Sequence, residues 1–161
     1  MRFRLLHLVC LSVLLALPVA GAAACPNPDL NATVQLRTNG ASLRMGQMRR
    51  ATAGGPHQLD GCPALGLGEV PEMFFSDAPS MSADLGGMMG LAMEISAEGA
   101  CATGLLIRTA DGNWYYDDSG RGPGLPRIML RSPGRGMMRF WVGTPDGAAC
   151  RATIRLATYA G

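Results

Sequence analysis

Four residues with the oxygen chemistry of a calcium loop, Asp111, Asn113, Asp117 and Asp118, lie close together in the stretch DGNWYYDDSG. Calcium takes roughly six to eight oxygens, commonly from carboxylates, amides and backbone carbonyls in a loop turned by glycine. The spacing is not that of an EF-hand, and Asn113 and Asp117 bracket what reads as a strand. A second use competes for the same groups. Asp111 and Asn113 can shape a hairpin turn while Asp117 and Asp118 accept backbone N–H bonds in the next one. The expectation is architecture first, with calcium as the alternative. Between the acidic residues stand Trp114, Tyr115 and Tyr116, whose rings could stack on a carbohydrate. In a strand Trp114 and Tyr116 share one face and Tyr115 takes the other. One of those faces must serve the core, which leaves Tyr115, or the Trp114–Tyr116 pair, for a ligand.

Other chemistry has less to stand on. Met45 and Met48, Met88, Met89 and Met93, and Met137 with Met138 suggest soft thioether sites for Cu(I). Neighbouring residues of a strand point apart, however, so each pair offers one ligand per side and core filling is the simpler use. A Ser-His-Asp hydrolase would have to use His57, which sits in a Gly/Pro turn. The cysteines point to structure. Cys10 falls in the N-terminal apolar run, and Cys25, Cys62, Cys101 and Cys150 remain as an even set.

That N-terminal run has Arg2 and Arg4, then apolar residues to Val19, then Ala22-Ala23-Ala24, the anatomy of a secretory signal peptide over 1–24. The mature chain is expected at 25–161 as a single domain, secreted or periplasmic. A lipoprotein anchored through Cys25 is the alternative at the same place, and it would strand one thiol. No later segment suits a membrane span. All fourteen basic residues are arginine. With Arg2 and Arg4 removed they balance the twelve carboxylates, which argues against nucleic acid or an anionic membrane as partner.

The elements that would position these residues are short. Gly and Pro are dense, and apolar runs alternate with turn clusters at the spacing of an all-β sandwich. ATVQLRT alternates; Asn39-Gly40 reads as a hairpin turn into ASLRMGQM. DLGGMMGLAMEISAEG is glycine-weakened as a helix, and its second half reads as a strand. GLLIRT and NWYY are joined by Asp111-Gly112, a type I′ signal with both central residues at positive φ. The last strand, CRATIRLATYA, buries one face and solvates the other. Cys101 and Cys150 each open a strand and Cys25 and Cys62 share the first half, which favours pairing Cys25–Cys62 and Cys101–Cys150.

The stretches CATGLLIRTADGNWYYDDSG, LPRIMLRSPGRGMMRFWVGT and CRATIRLAT together resemble the pre-peptidase C-terminal domain family and its small stand-alone secreted relatives. Trp114, Asp117, Asp118, Gly120, Pro126, Ile128, Leu130, Gly136 and the Trp141–Thr144 tetrapeptide WVGT carry the resemblance. Met137-Met138-Arg139-Phe140 departs from the Gly-x-Tyr of many relatives. The resemblance implies a jelly-roll-like antiparallel β-sandwich, stapled here by disulfides, in a secreted accessory role without catalysis or a required cofactor. A calcium-stabilised domain that binds carbohydrate or protein is the alternative, and a small secreted hydrolase is the alternative of another class.

Overall fold

The computed structural model describes residues 25–68 and 72–161; the expected signal peptide lies outside them. The chain forms β1 (Val34–Asn39), α1 (Gly40–Leu43), β2 (Gln47–Ala53), β3 (His57–Gln58), β4 (Phe74–Phe75), β5 (Met81–Gly86), β6 (Leu91–Gly99), β7 (Gly104–Arg108), β8 (Trp114–Asp117), β9 (Arg127–Leu130), β10 (Gly136–Gly143) and β11 (Cys150–Ala160). Sheet A has the order β1-β5-β10-β7-β8 and sheet B the order β2-β11-β6-β9. The chain crosses between sheets at almost every connection after β4. Every strand pair is antiparallel except β1–β5. The fold is a β-sandwich.

Alternation explains the main core. Met81, Ala83 and Leu85 of β5, Leu105 and Ile107 of β7, and Met138, Phe140 and Val142 of β10 face inward from sheet A. Met93, Ile95 and Ala97 of β6, Ile128 and Leu130 of β9, and Ala152, Ile154 and Leu156 of β11 meet them from sheet B. Arg49 points toward this interior from the edge strand β2, where its guanidinium donates to Gln47 Oε1 at 3.3 Å and to the Met48 carbonyl at 2.8 Å. An inward charge on an edge strand discourages pairing with another sheet.

A second apolar cluster lies on the far side of sheet A. Residues between β3 and β4 form two 3-10 turns, Leu59–Gly61 and Pro63–Leu65, and fold over the outer face as a cap. Leu59, Leu65, Met73 and Phe75 pack there on Leu106 and Trp141. Phe74 and Thr144 exchange backbone hydrogen bonds at 2.9 and 3.1 Å, which ties the cap to the end of β10. The Cys25–Cys62 disulfide fastens the N-terminal segment to the cap, and Cys101–Cys150 joins the β6–β7 connection to the start of β11.

Two turns differ from the sequence expectation. Asn39 does not open a hairpin. It caps α1 with Oδ1 accepting from Ser42 N at 2.9 Å, and the chain passes through Leu43, which is fully buried, to the other sheet. The β7–β8 hairpin is not type I′, because no non-glycine residue among those described has positive φ. Gly112 N donates to the Thr109 carbonyl at 3.0 Å and Thr109 N to the Asn113 carbonyl at 2.9 Å, so the loop has three residues, with Gly112 alone at φ 92°. Gly112→Val is expected to destabilise the fold by about 1–3 kcal/mol, as forced positive φ does at a β-branched residue; denaturant unfolding measures it.

Candidate functional site

The carboxylates of the acidic loop are engaged by the chain's own donors, backbone N–H groups at Asp117 and side chains at Asp111 and, unlike the expected backbone N–H bonds, at Asp118. Asp111 Oδ1 accepts from the Thr109 hydroxyl, and Oδ2 from Asn113 Nδ2 at 2.8 Å; the Thr109 bond is the main cause holding the Asp111 carboxyl below its ordinary pKa. Asp117 Oδ2 accepts from Gly120 N at 2.8 Å and Arg127 N at 2.7 Å, so one carboxylate turns the chain and fixes the start of β9. Asp118 Oδ2 accepts from the Tyr116 hydroxyl at 3.0 Å. Among the described residues no group of three or more His, Cys, Asp and Glu is placed to hold a metal ion.

The aromatics divide as alternation requires. Trp114 and Tyr116 share the outer face of sheet A. Trp114 packs on Trp141 with centroids 5.2 Å apart, and Tyr116 meets Phe75 edge-on at 6.3 Å. Arg108 lies 6.0 Å from the Trp114 ring centroid, within reach of a cation–π contact. Tyr115 takes the opposite face and is exposed. Burial pushes the Tyr116 phenol well above the ordinary value of 10.0, and its bond to Asp118 and the charges of Asp118 and Asp117 add to this. The unfolded chain therefore loses the proton first. The contribution of Tyr116 is fully present below pH 10.0 and is lost as pH rises above it. Unfolding midpoints followed into the alkaline range should fall steeply for the wild type and less so for Tyr116→Phe.

His57 Nε2 lies 2.8 Å from Asp77 Oδ1 at the base of the cap. The neighbouring Ser76 hydroxyl donates to the Ala78 carbonyl at 2.8 Å, and Ser80 to the Thr52 carbonyl at 3.0 Å. Of the methionines, Met88, Met93 and Met138 are core, whereas Met45, Met48, Met89 and Met137 are exposed.

The outer face of sheet B contrasts with that of sheet A. Register places Met48, Arg155, Ser96 and Arg127 in one row across four strands, with Arg50, Thr153 and Glu98 in the next. Arg151 of β11 continues the same face beside Thr52. Glu94 lies at the centre, 3.3 Å from Arg155 and 3.9 Å from Arg127. The turn before β2 comes close to Arg155: a Cβ on Gly46, itself at φ 71°, would lie 2.9 Å from Arg155 Nη2. Arg121, from the β8–β9 loop, joins Arg155 and Glu94 around a cup of about 330 Å³. A shallower hollow of about 740 Å³, bordered by Arg50 and Arg151, shares Glu98 and Thr153 with that cup. The two form one continuous surface. Met48 and Met129 flank it and Tyr159 extends it, all exposed.

The sequence shows Arg at outward positions of CRATIRLAT, QMRRATA and PRIML, but a lone strand with arginines outward reads as a solvated face. Their convergence depends on the order β2-β11-β6-β9, in which no neighbours are consecutive.

Among the described residues no helix is long and apolar enough to cross a membrane, and the two disulfides fit an oxidising compartment. No protein-family model and no curated protein matches the sequence. Among solved structures the chain is similar to PliG of Aeromonas hydrophila, a periplasmic inhibitor of g-type lysozyme. That similarity has a TM-score of 0.47 and 9% identity, covering 78% of this chain and 96% of PliG. It is also similar to the pre-peptidase C-terminal domain of the collagenase from Bacillus anthracis, at a TM-score of 0.43 and 8% identity, covering 81% of this chain and all of that domain. At these values the likeness is one of β-rich architecture, and it assigns this chain neither a family nor a ligand.

Proposed function

We propose that this chain is an exported, non-catalytic binding module and that the outer face of sheet B is its ligand surface. One observation carries the reading: among the described residues a cap covers the β7–β8 side of one sheet's outer face, and the outer face of the other sheet has no such cap. The cap, its disulfide and Trp141 cover the outside of sheet A over β7, β8 and the end of β10, while Arg37 and Met137 on the same face stay exposed. The outside of sheet B keeps a continuous concave surface rich in Arg, Met and Tyr, residue types enriched where proteins meet. The role matches the accessory one implied by the resemblance to pre-peptidase C-terminal domains, with protein favoured over carbohydrate because the rings of Trp114 and Tyr116 are engaged in packing.

Methionine oxidation tests the face without knowledge of the ligand. Met48 and Met129 lie on it; Met89, in the β5–β6 turn, and Met137, on sheet A, are exposed elsewhere. Peroxide treatment of the protein in its native extracytoplasmic milieu, compared with the purified protein, should slow oxidation of Met48 and Met129 relative to Met89 and Met137. Equal slowing at all four, or at none, would discard the open-face reading.

A further inference from the structure

We infer that the open face of sheet B is built for an acidic protein surface, one that presents carboxylates interleaved with apolar side chains; this rests on the open-face reading above. Its charge is the first ground. Arg50, Arg121, Arg127, Arg151 and Arg155 lie on this face or its rim against Glu94 and Glu98, in a chain whose arginines and carboxylates balance as a whole after residue 24. Neutrality of the whole therefore conceals a positive surface on one side.

The pairing state is the second ground. Arg50, Arg121 and Arg151 make no ion pair among the described residues, while Glu94 is shared by Arg155 and Arg127 at 3.3 and 3.9 Å. Each guanidinium has five N–H donors, so even the paired arginines keep most of theirs for a visitor. Guanidinium forks match carboxylates in a bidentate manner. Arg155 and Arg127 are partly exposed, at 33% and 46% of the side chain, so re-pairing with a partner carboxylate costs little.

The third ground selects the class of occupant. Glu94 and Glu98 interrupt the positive field, and a uniform polyanion laid across the face would meet them as like charges. Met48, Met129 and Tyr159 give adaptable apolar contacts that a sulfated or phosphorylated polymer would leave unused. A protein surface can set its carboxylates opposite the arginines and its apolar groups opposite the methionines.

Fluorescence anisotropy of a labelled peptide that alternates Glu with Leu provides the test, with a Gln-for-Glu version and labelled dextran sulfate as comparison probes. The acidic peptide should bind at low salt and weaken as salt rises. The triple variant Arg50→Glu/Arg121→Glu/Arg151→Glu should weaken binding by at least about tenfold, through loss of complementarity. A charge-matched triple on other surfaces, Arg37→Glu/Arg131→Glu/Arg135→Glu, should leave it unchanged. If the first triple fails to fold, Arg50→Gln/Arg121→Gln/Arg151→Gln reads the same loss at smaller size. Equal binding of the Gln peptide, tighter binding of dextran sulfate, or equal loss in both triples would overturn the acidic-protein assignment. Concentration-dependent dimerisation in sedimentation, abolished by the first triple, would assign the face to a second copy instead. Protection of Met48 and Met129 in the native milieu without binding of the acidic peptide would keep the open-face reading and remove only the acidic partner.

Discussion

Trp141→Ala is expected to lower the unfolding free energy by about 3–5 kcal/mol, the range for truncating a fully buried aromatic. Trp141 is completely buried, yet it does not sit between the sheets. It stands on the outer face of β10, opposite Leu106 across the ladder, under the cap and 5.2 Å from the Trp114 ring. Its indole N–H donates to the Asp77 carbonyl at 3.2 Å, which also accepts from Asn27 N at 2.8 Å. One side chain thus supports the cap, the N-terminal segment and the Asp77 corner. Trp141→Phe should recover part of the packing while leaving that carbonyl a donor short. Urea titrations of the three proteins give the differences. A loss under about 1 kcal/mol for the alanine variant would mean that the cap collapses to fill the space, and that it is far more deformable than protein interiors usually are.

The second large effect belongs to the staple on the same structure. Cys25 and Cys62 are 37 residues apart, and closing a loop of that length is worth about 4 kcal/mol in the chain-entropy model. Cys25→Ser/Cys62→Ser should therefore lose up to about 4 kcal/mol, with a local signature beyond the global loss. Freed from the N-terminal segment, the cap opens more often and wets the two tryptophans, so emission should shift to the red before the sheets melt. Coincident fluorescence and far-ultraviolet circular dichroism transitions would show instead that cap and sandwich unfold as one unit.

Much of the fold could be read from residue patterns. CRATIRLATYA became β11 because its alternation over eleven residues admits one assignment, and the glycines of DLGGMMG argued rightly against a helix ahead of β6. The cysteine pairing is the expected one, although Cys101 lies in the β6–β7 connection and does not open a strand. Asn39 failed as a guide because one chemistry serves two ends: an asparagine before glycine suits a hairpin, and an asparagine before a buried Leu43 caps a helix. Tertiary burial decides between them. The cap was hidden because LDGCPAL and EMFF are too short and irregular to show a period, so nothing local states that they cover Trp141. The arginine face was hidden for another reason. Each arginine was visible as an outward residue, but the face forms only when strands distant in the chain become neighbours.

The strand order also governs when this protein can fold. β10 separates β5 from β7, and β11 separates β2 from β6, and each of these central strands comes later in the sequence than the two it joins. Without residues 136–160 the sandwich reduces to the paired ribbons β1–β5, β7–β8, β6–β9 and β3–β4, and two-stranded ribbons are marginal in water. The nascent polypeptide therefore has no stable sheet until residues 136–160 are available to pair. Pairings across such sequence distances then form slowly, since loop closure precedes any reward from the contacts. A chain ordered in this way stays without its sandwich until both central strands can pair. It acquires its second disulfide, at Cys150, only when the keystone strands arrive.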